Sequence, residues 1–327
     1  MTKLIKKSWG YYSFILAMHG LFLGLILMEI KGNHTIVGLT ILAYTLGLRH
    51  AFDADHIAAI DNTVRKLVHQ DKAPMGTGFY FSLGHSTIVL LMSILIAVSV
   101  KWASQKLPFF ERTGSIIGTI VSGGFLIGIA IFNLVVLINL LKRMRQKKPG
   151  TSPLPTMNGP LTFIFSSVFK FVEHARQMYF VGLLFGLGFD TATEIALLTL
   201  STNAVAANTN FLSVLVLPIS FAAGMCLMDT TDSVMMSGAY RWAFSSEHSK
   251  LYYNLIVTTV SVLSALMIGL TELIHFLPDK LKTSISILNV LQNIDYSSFG
   301  YILVGTFIVL WLLAYVITKS VQTAKLN

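Results

Sequence analysis

Long apolar runs separated by short polar gaps set the pattern of this chain. About 20 mostly apolar helical residues are needed to cross roughly 30 Å of hydrocarbon. Eight runs reach that length, at residues 9–30, 36–60, 76–100, 114–141, 178–201, 211–236, 252–276 and 299–318. They predict an all-α integral membrane protein with eight transmembrane helices. The first run is read as a span, not a secretory leader. Its apolar stretch is too long, and no small-x-small cleavage site precedes Glu29.

Composition agrees with this pattern. Of 327 residues, 54% are hydrophobic and 12% charged, against about 25% charged in soluble domains. That excludes a soluble two-domain protein and a disordered chain. One cysteine, Cys226, excludes a disulfide scaffold. The net charge of +9 does not point to nucleic acid, because the basic residues lie in the gaps between apolar runs. Seventeen of the 24 Lys and Arg fall in the two tails and the gaps on their side; six fall in the opposite gaps, and Arg49 lies inside the second run. The side richer in Lys and Arg is the cytoplasmic one, so both termini are expected in the cytoplasm. The one long connection, 142–177, opens with KRMRQKKPGTSPLP, basic and then rich in proline and small residues. It reads as a cytoplasmic linker between an N-terminal four-helix half, 1–141, and a C-terminal four-helix half, 178–327. Its basic residues also suit lipid headgroups.

Ionisable side chains deep in a span cost roughly 2.5–3.5 kcal/mol each on insertion scales and mark function by default. The second run reads LGLRHAFDADHIAAID and carries Arg49, His50, Asp53, Asp55 and His56. On a continuous helix, His50, Asp53 and His56 would share an arc of roughly 120°. Three chemistries fit: salt bridges through Arg49, a proton relay, or a metal site. Two imidazoles with carboxylates are donors suited to Ni, Co and Zn, which favours the metal site.

Three other runs add polar groups. The third carries FSLGHS, with His85 near Ser82 and Ser86. The fifth carries FGLGFDTATEIA, where Asp190 and Glu194 are four apart and share a face; Thr191 and Thr193 are read as bonding backbone carbonyls. The sixth carries GMCLMDTTDSVMM, with Asp229 and Asp232 three apart. Arg49 is the only basic residue expected well inside a span. It cannot neutralise Asp53, Asp55, Asp190, Glu194, Asp229 and Asp232, so a divalent cation or protons must supply the rest. Gly84, Gly186, Gly188 and Gly224 flank these clusters and are expected sites of local unwinding. FDADHIA and FDTATEIA resemble each other in spans of opposite direction. They predict an inverted repeat of the second and third spans with the fifth and sixth. His19, in the first span, is read either as a tuner of metal choice or as a helix contact.

Taken together, RHAFDADHI, FSLGHS, LGFDTATE and GMCLMDTTD, in this order, resemble the nickel/cobalt transporter (NiCoT) family of high-affinity nickel permeases. The first motif holds that family's His-x4-Asp-His signature as His50, Asp55 and His56. The resemblance covers nearly the whole chain. It implies a single-chain, multi-pass secondary transporter that takes up Ni2+, Co2+ or both across the bacterial cytoplasmic (inner) membrane. It also implies metal-site roles for His50, Asp53, Asp55, His56, His85, Asp190, Glu194, Asp229 and Asp232. The ion would be the transported substrate, with no permanent cofactor and no nucleic-acid partner. No G-x4-G-K-[ST] motif occurs, so any ATPase would have to be a separate chain; no such subunit is expected to be required. Efflux of a divalent metal is the alternative reading. An enzyme is not expected: HExxH is missing, and Ser86 beside His85 is not spaced like a nucleophile and its base.

Overall fold

The computed structural model describes residues 2–29, 34–146, 172–188, 192–206, 211–243, 248–276 and 299–324. Most of the expected linker, residues 147–171, and Asp190 lie outside these. Every regular element among the described residues is helical. In chain order they are α1 (Thr2–Glu29), α2 (His34–His50), α3 (Ala54–His69), α4 (Thr77–Val98), α5 (Val100–Gln146), a 3-10 turn (Ala175–Gln177), α6 (Met178–Phe185), α7 (Ala192–Ala206), α8 (Phe211–Ala243), α9 (His248–Phe276) and α10 (Phe299–Ala324).

Five helical segments among the described residues are long and apolar enough to cross a membrane: Ser8–Met28, Thr77–Val98, Thr113–Lys142, Val214–Arg241 and Asn254–Ile274. They coincide with the first, third, fourth, sixth and seventh expected spans. A sixth crossing arises if Thr35–His50 and Ala54–His69 count as one broken span. That corrects the second expected span, which is neither continuous nor finished at residue 60. Its break is legible in local chemistry. Arg49 and His50 end α2, where free carbonyls favour positive charge. The Phe52 N–H then turns back to the Arg49 carbonyl at 2.9 Å. Asp53 is extended, with φ −64° and ψ 142°, at the N-cap position of α3, and Asp55 lies in that helix's first turn, where anions are favoured. The fifth expected span is also divided. Helix α6 stops at Phe185 and α7 starts at Ala192, with residues 186–188 outside any helix. Unwinding thus occurs at Gly186 and Gly188, whereas Gly84 and Gly224 sit inside intact helices.

The chain forms two compact units. The first comprises Met1–Phe52, Met75–Ser122 and Arg176–Asp232; the second comprises Asp53–Pro74, Gly123–Ala175 and Ser233–Asn327. In the first, α4 meets α6 and α7, and α2 meets α7 and α1. The α4–α6 contact is backbone against backbone. A Cβ on Gly84 would lie 1.9 Å from the Tyr179 carbonyl oxygen, and one on Gly182 1.9 Å from that of Phe81. Main chain cannot rotate aside. Gly84→Ala or Gly182→Ala is expected to force the helices apart and lower the melting temperature in detergent by about 5–10 °C. Gly24→Ala, where nothing lies within 4 Å, should leave it unchanged. Equal melting of all three variants would contradict the close approach.

The second unit packs α3 against α9 and α10 around a buried polar cluster. Tyr240 and Ser261 each donate a hydroxyl hydrogen bond to one carboxylate oxygen of Asp61. Arg65 Nη2 donates to the same two hydroxyls, at 2.6 Å and 2.8 Å, and Nη1 donates to Thr258. The guanidinium stacks 4.2 Å from the Tyr240 ring centroid and lies 4.0 Å from Asp61. Both hydroxyls and both Nη groups meet acceptors, while Arg65 Nε has none among the described residues; the arrangement fits ionised Asp61 and Arg65 holding net zero charge.

Candidate metal centre

Three of the expected site residues come together in the first unit. His50 is the last residue of α2, His85 lies on α4 one residue past Gly84, and Glu194 sits in the first turn of α7. All three are buried. Gly47 lets α2 approach α8 so closely that a Cβ there would lie 2.1 Å from the Phe221 carbonyl oxygen. His50 follows one turn later, its ring 5.4 Å from that of Phe221. The C-terminal end of α2 favours a cation, and the N-terminal end of α7 favours the Glu194 carboxylate.

His50 Nε2 is 3.0 Å from His85 Nε2, and His85 Nε2 is 2.7 Å from Glu194 Oε1. On the other side of its ring, His50 Nδ1 is 3.0 Å from Thr193 Oγ1. A neutral imidazole has one N–H and one lone pair. When His50 Nδ1–H donates to Thr193, His50 Nε2 turns its lone pair toward His85. His85 Nε2 can hold one proton at most, yet a nitrogen and a carboxylate oxygen both face it. Two imidazoles can each offer nitrogen to one shared ion here. Donor separations of 2.7–3.0 Å match what bonds of about 2.0–2.1 Å at right angles would produce. Thr193 is placed to fix the His50 tautomer, as hydrogen-bonded partners of metal-binding histidines do.

The remaining expected residues are distributed as follows. Asp229, buried on α8, has an oxygen 2.6 Å from the Ser82 hydroxyl, which also lies 2.8 Å from the Gly78 carbonyl. Asp232 is half-buried one turn along the same helix. Asp190 is outside the described residues. Asp53, Asp55 and His56 open α3 in the second unit; His56 is buried and the two aspartates half-buried. The arc drawn through His50, Asp53 and His56 does not exist, because the helix breaks between His50 and Ala54.

Two further readings change. Thr193 bonds the His50 ring, a role the sequence did not assign it. Arg49 is exposed and makes no ion pair among the described residues. Among the described residues, the basic side chains held inside are Arg65 and Lys66, which the charge count assigned to a loop. Their signal was the Asp61–Arg65 spacing of four in IDNTVR, continuing the helical register. His19 is a helix contact, with Nε2 3.1 Å from the Tyr44 hydroxyl and Nδ1 2.8 Å from the Ile15 carbonyl oxygen.

A family model described as high-affinity nickel-transport protein (NicO) matches residues 36–317. Among curated proteins, the chain is 46% identical to a nickel transporter of Staphylococcus aureus, over 96% of this chain and 95% of that protein. It is 44% identical to a high-affinity nickel-transport protein of Helicobacter pylori, over 99% and 100%. A cobalt transport protein of Rhodococcus rhodochrous is 36% identical, over 84% and 81%. No solved structure matches the chain.

Proposed function

The chain belongs to the NicO family of high-affinity nickel-transport proteins, and on that premise we propose that it takes up Ni2+, and Co2+ by the same route, across the bacterial cytoplasmic membrane. The observation that carries this reading is the buried convergence of His50 Nε2, His85 Nε2 and Glu194 Oε1. Relatives named for nickel and for cobalt transport support both ions. Their naming as transporters also supports transport over catalysis.

In this reading the chain crosses eight times, through the five described spans, the α2/α3 pair, the α6/α7 pair and α10, with both termini in the cytoplasm. Halves 1–141 and 178–327 would then be joined by the basic connection 142–177. Breaks in both the second and the fifth crossing, each near its FDxxx motif, support an inverted repeat.

The substrate ion sheds water as it enters. His50 and His85 replace that water with nitrogen, and Glu194 offsets one of its two charges. Thr193 holds the His50 ring with its lone pair presented. Asp53, Asp55, His56, Asp190, Asp229 and Asp232 draw the cation or complete its ligand set, a role that rests on the motifs. An inside-negative potential of 100 mV favours inward movement of a doubly charged ion by about 4–5 kcal/mol, so no ATPase partner is needed. Protonation of an imidazole or of Glu194 competes with metal for the same lone pairs and promotes release. Copper would bind nitrogen donors more tightly than nickel, so the cavity's geometry must select against it.

Expression in cells lacking their own nickel transporter is expected to raise labelled-nickel accumulation. Collapsing the potential with valinomycin in high potassium should lower it by about tenfold or more. Accumulation that ignores expression refutes the reading. Expression that lowers cellular nickel marks export instead.

A further inference from the structure

We propose that the core shared by α2, α4, α7 and α8 is the ion's path between the metal centre and one membrane face, with Ser86, Ser93 and Ser201 as stepping points inside an otherwise apolar seal. This rests on the transport reading above and extends it to a route. Hydroxyls on membrane helices ordinarily bond the carbonyl one turn back. Ser82, Thr87, Thr199 and Thr202 do so on these same helices, at 2.7–2.9 Å. Ser86, Ser93 and Ser201 do not. Their side chains are 6%, 0% and 0% exposed, and their hydroxyls have no hydrogen-bond partner among the described residues. A buried hydroxyl without a partner is costly unless water or an ion meets it.

Their placement is ordered. Ser86 follows His85, and Ser93 lies seven residues on, along the same face of α4. Ser201 lies seven residues past Glu194, along the same face of α7. Both helices therefore carry hydroxyls leading from the metal centre toward their C-terminal ends. Between them Val89 of α4, Leu197 of α7 and Phe221 of α8 pack in one apolar cluster, and Phe221 reaches the His50 ring. Pro218, inside α8, has no N–H to give the Val214 carbonyl, and Val214 lies in the same cluster. That leaves the Val214 carbonyl without the helical N–H donor it would otherwise have. The starts of α2 and α8 and the ends of α4 and α7 belong to one membrane side by chain order, the side the lysine and arginine count makes external. A partly hydrated divalent cation could exchange water for these oxygens when Phe221, Val89 and Leu197 part.

Thiol labelling tests the path. Cys226 is the only cysteine, so a Cys226→Ala chain offers a clean background. Ser93→Cys and Ser201→Cys are made in it and treated on intact cells with a membrane-impermeant cationic methanethiosulfonate. Both are expected to be labelled, with nickel uptake falling tenfold or more on labelling. Ile41→Cys, on the exposed outer face of α2, should stay unlabelled. Thiols at 93 and 201 as inert as the one at 41, in cells that still take up nickel, would overturn the path and leave the transport reading standing. Should a cysteine variant fail to fold, Ser93→Leu serves instead. Uptake should fall tenfold with nickel affinity of the purified protein unchanged, and full uptake would overturn the path. Loss of uptake in the parent chain would count against the transport reading alone, since labelling is read without transport.

Discussion

Glu194→Gln is expected to cut the initial rate of labelled-nickel uptake by about 100-fold or more, with the protein still present in the membrane in normal amount. The size follows from what Glu194 does. Its carboxylate is in direct contact with the His50–His85 pair, 2.7 Å from His85 Nε2. Glutamine keeps the volume but removes the charge that offsets the ion. Its amide N–H can also donate to His85 Nε2 and satisfy the lone pair that the cation would have used. Because the volume and a hydrogen-bonding group are kept, folding should not suffer. Thr193→Val gives a graded companion. It removes only the group that orients His50, so affinity should fall by about 10-fold, within the range for partners behind metal-binding histidines. Nickel binding to purified protein separates the two, because Glu194→Gln should abolish it and Thr193→Val weaken it. Parental uptake by Glu194→Gln would remove Glu194 from the centre.

The second large effect concerns stability. Arg65→Met is expected to destabilise the protein by about 3–5 kcal/mol, because it leaves Asp61 ionised, buried and without its counter-charge. Tyr240 and Ser261 would still donate to Asp61, but hydroxyls do not cancel a full charge. The pair Asp61→Leu with Arg65→Met removes both charges and should recover most of the loss. Thermal unfolding of detergent-solubilised protein measures all three. If Arg65→Met melts with the parent, the cluster carries no net electrostatic weight.

These two predictions also show what could be read from the chain. The polar motifs singled out His50, His85 and Glu194 as candidates, because a charge or imidazole in an apolar run is conspicuous, and the structure brings these three together. Their partnership was not readable. His50 and Glu194 are 144 residues apart, and neither spacing nor periodicity links them. Arg65 was misplaced for a related reason. Counting Lys and Arg treats a basic residue at a span's edge as loop, whereas α3 continues to His69 and buries that guanidinium against Tyr240. The break after His50 left its own signs, basic residues ending one helix and Asp53 and Asp55 starting the next. Hydropathy averaged over a window blurs them, since an extended turn of three residues barely changes the mean.

Hydrophobic runs, their flanking charges and the four motifs by themselves determined that this is a multi-pass membrane protein of the nickel-transport family, and which side chains are candidates for its chemistry. Those are properties of each residue's own partition between water and lipid, so they survive in one dimension. Which donors share one centre, which threonine holds them and which arginine is locked away were decided by the tertiary structure alone. Such choices depend on how closely helices approach, set at Gly47, Gly84 and Gly182 by backbone contact, and on where two helices stop.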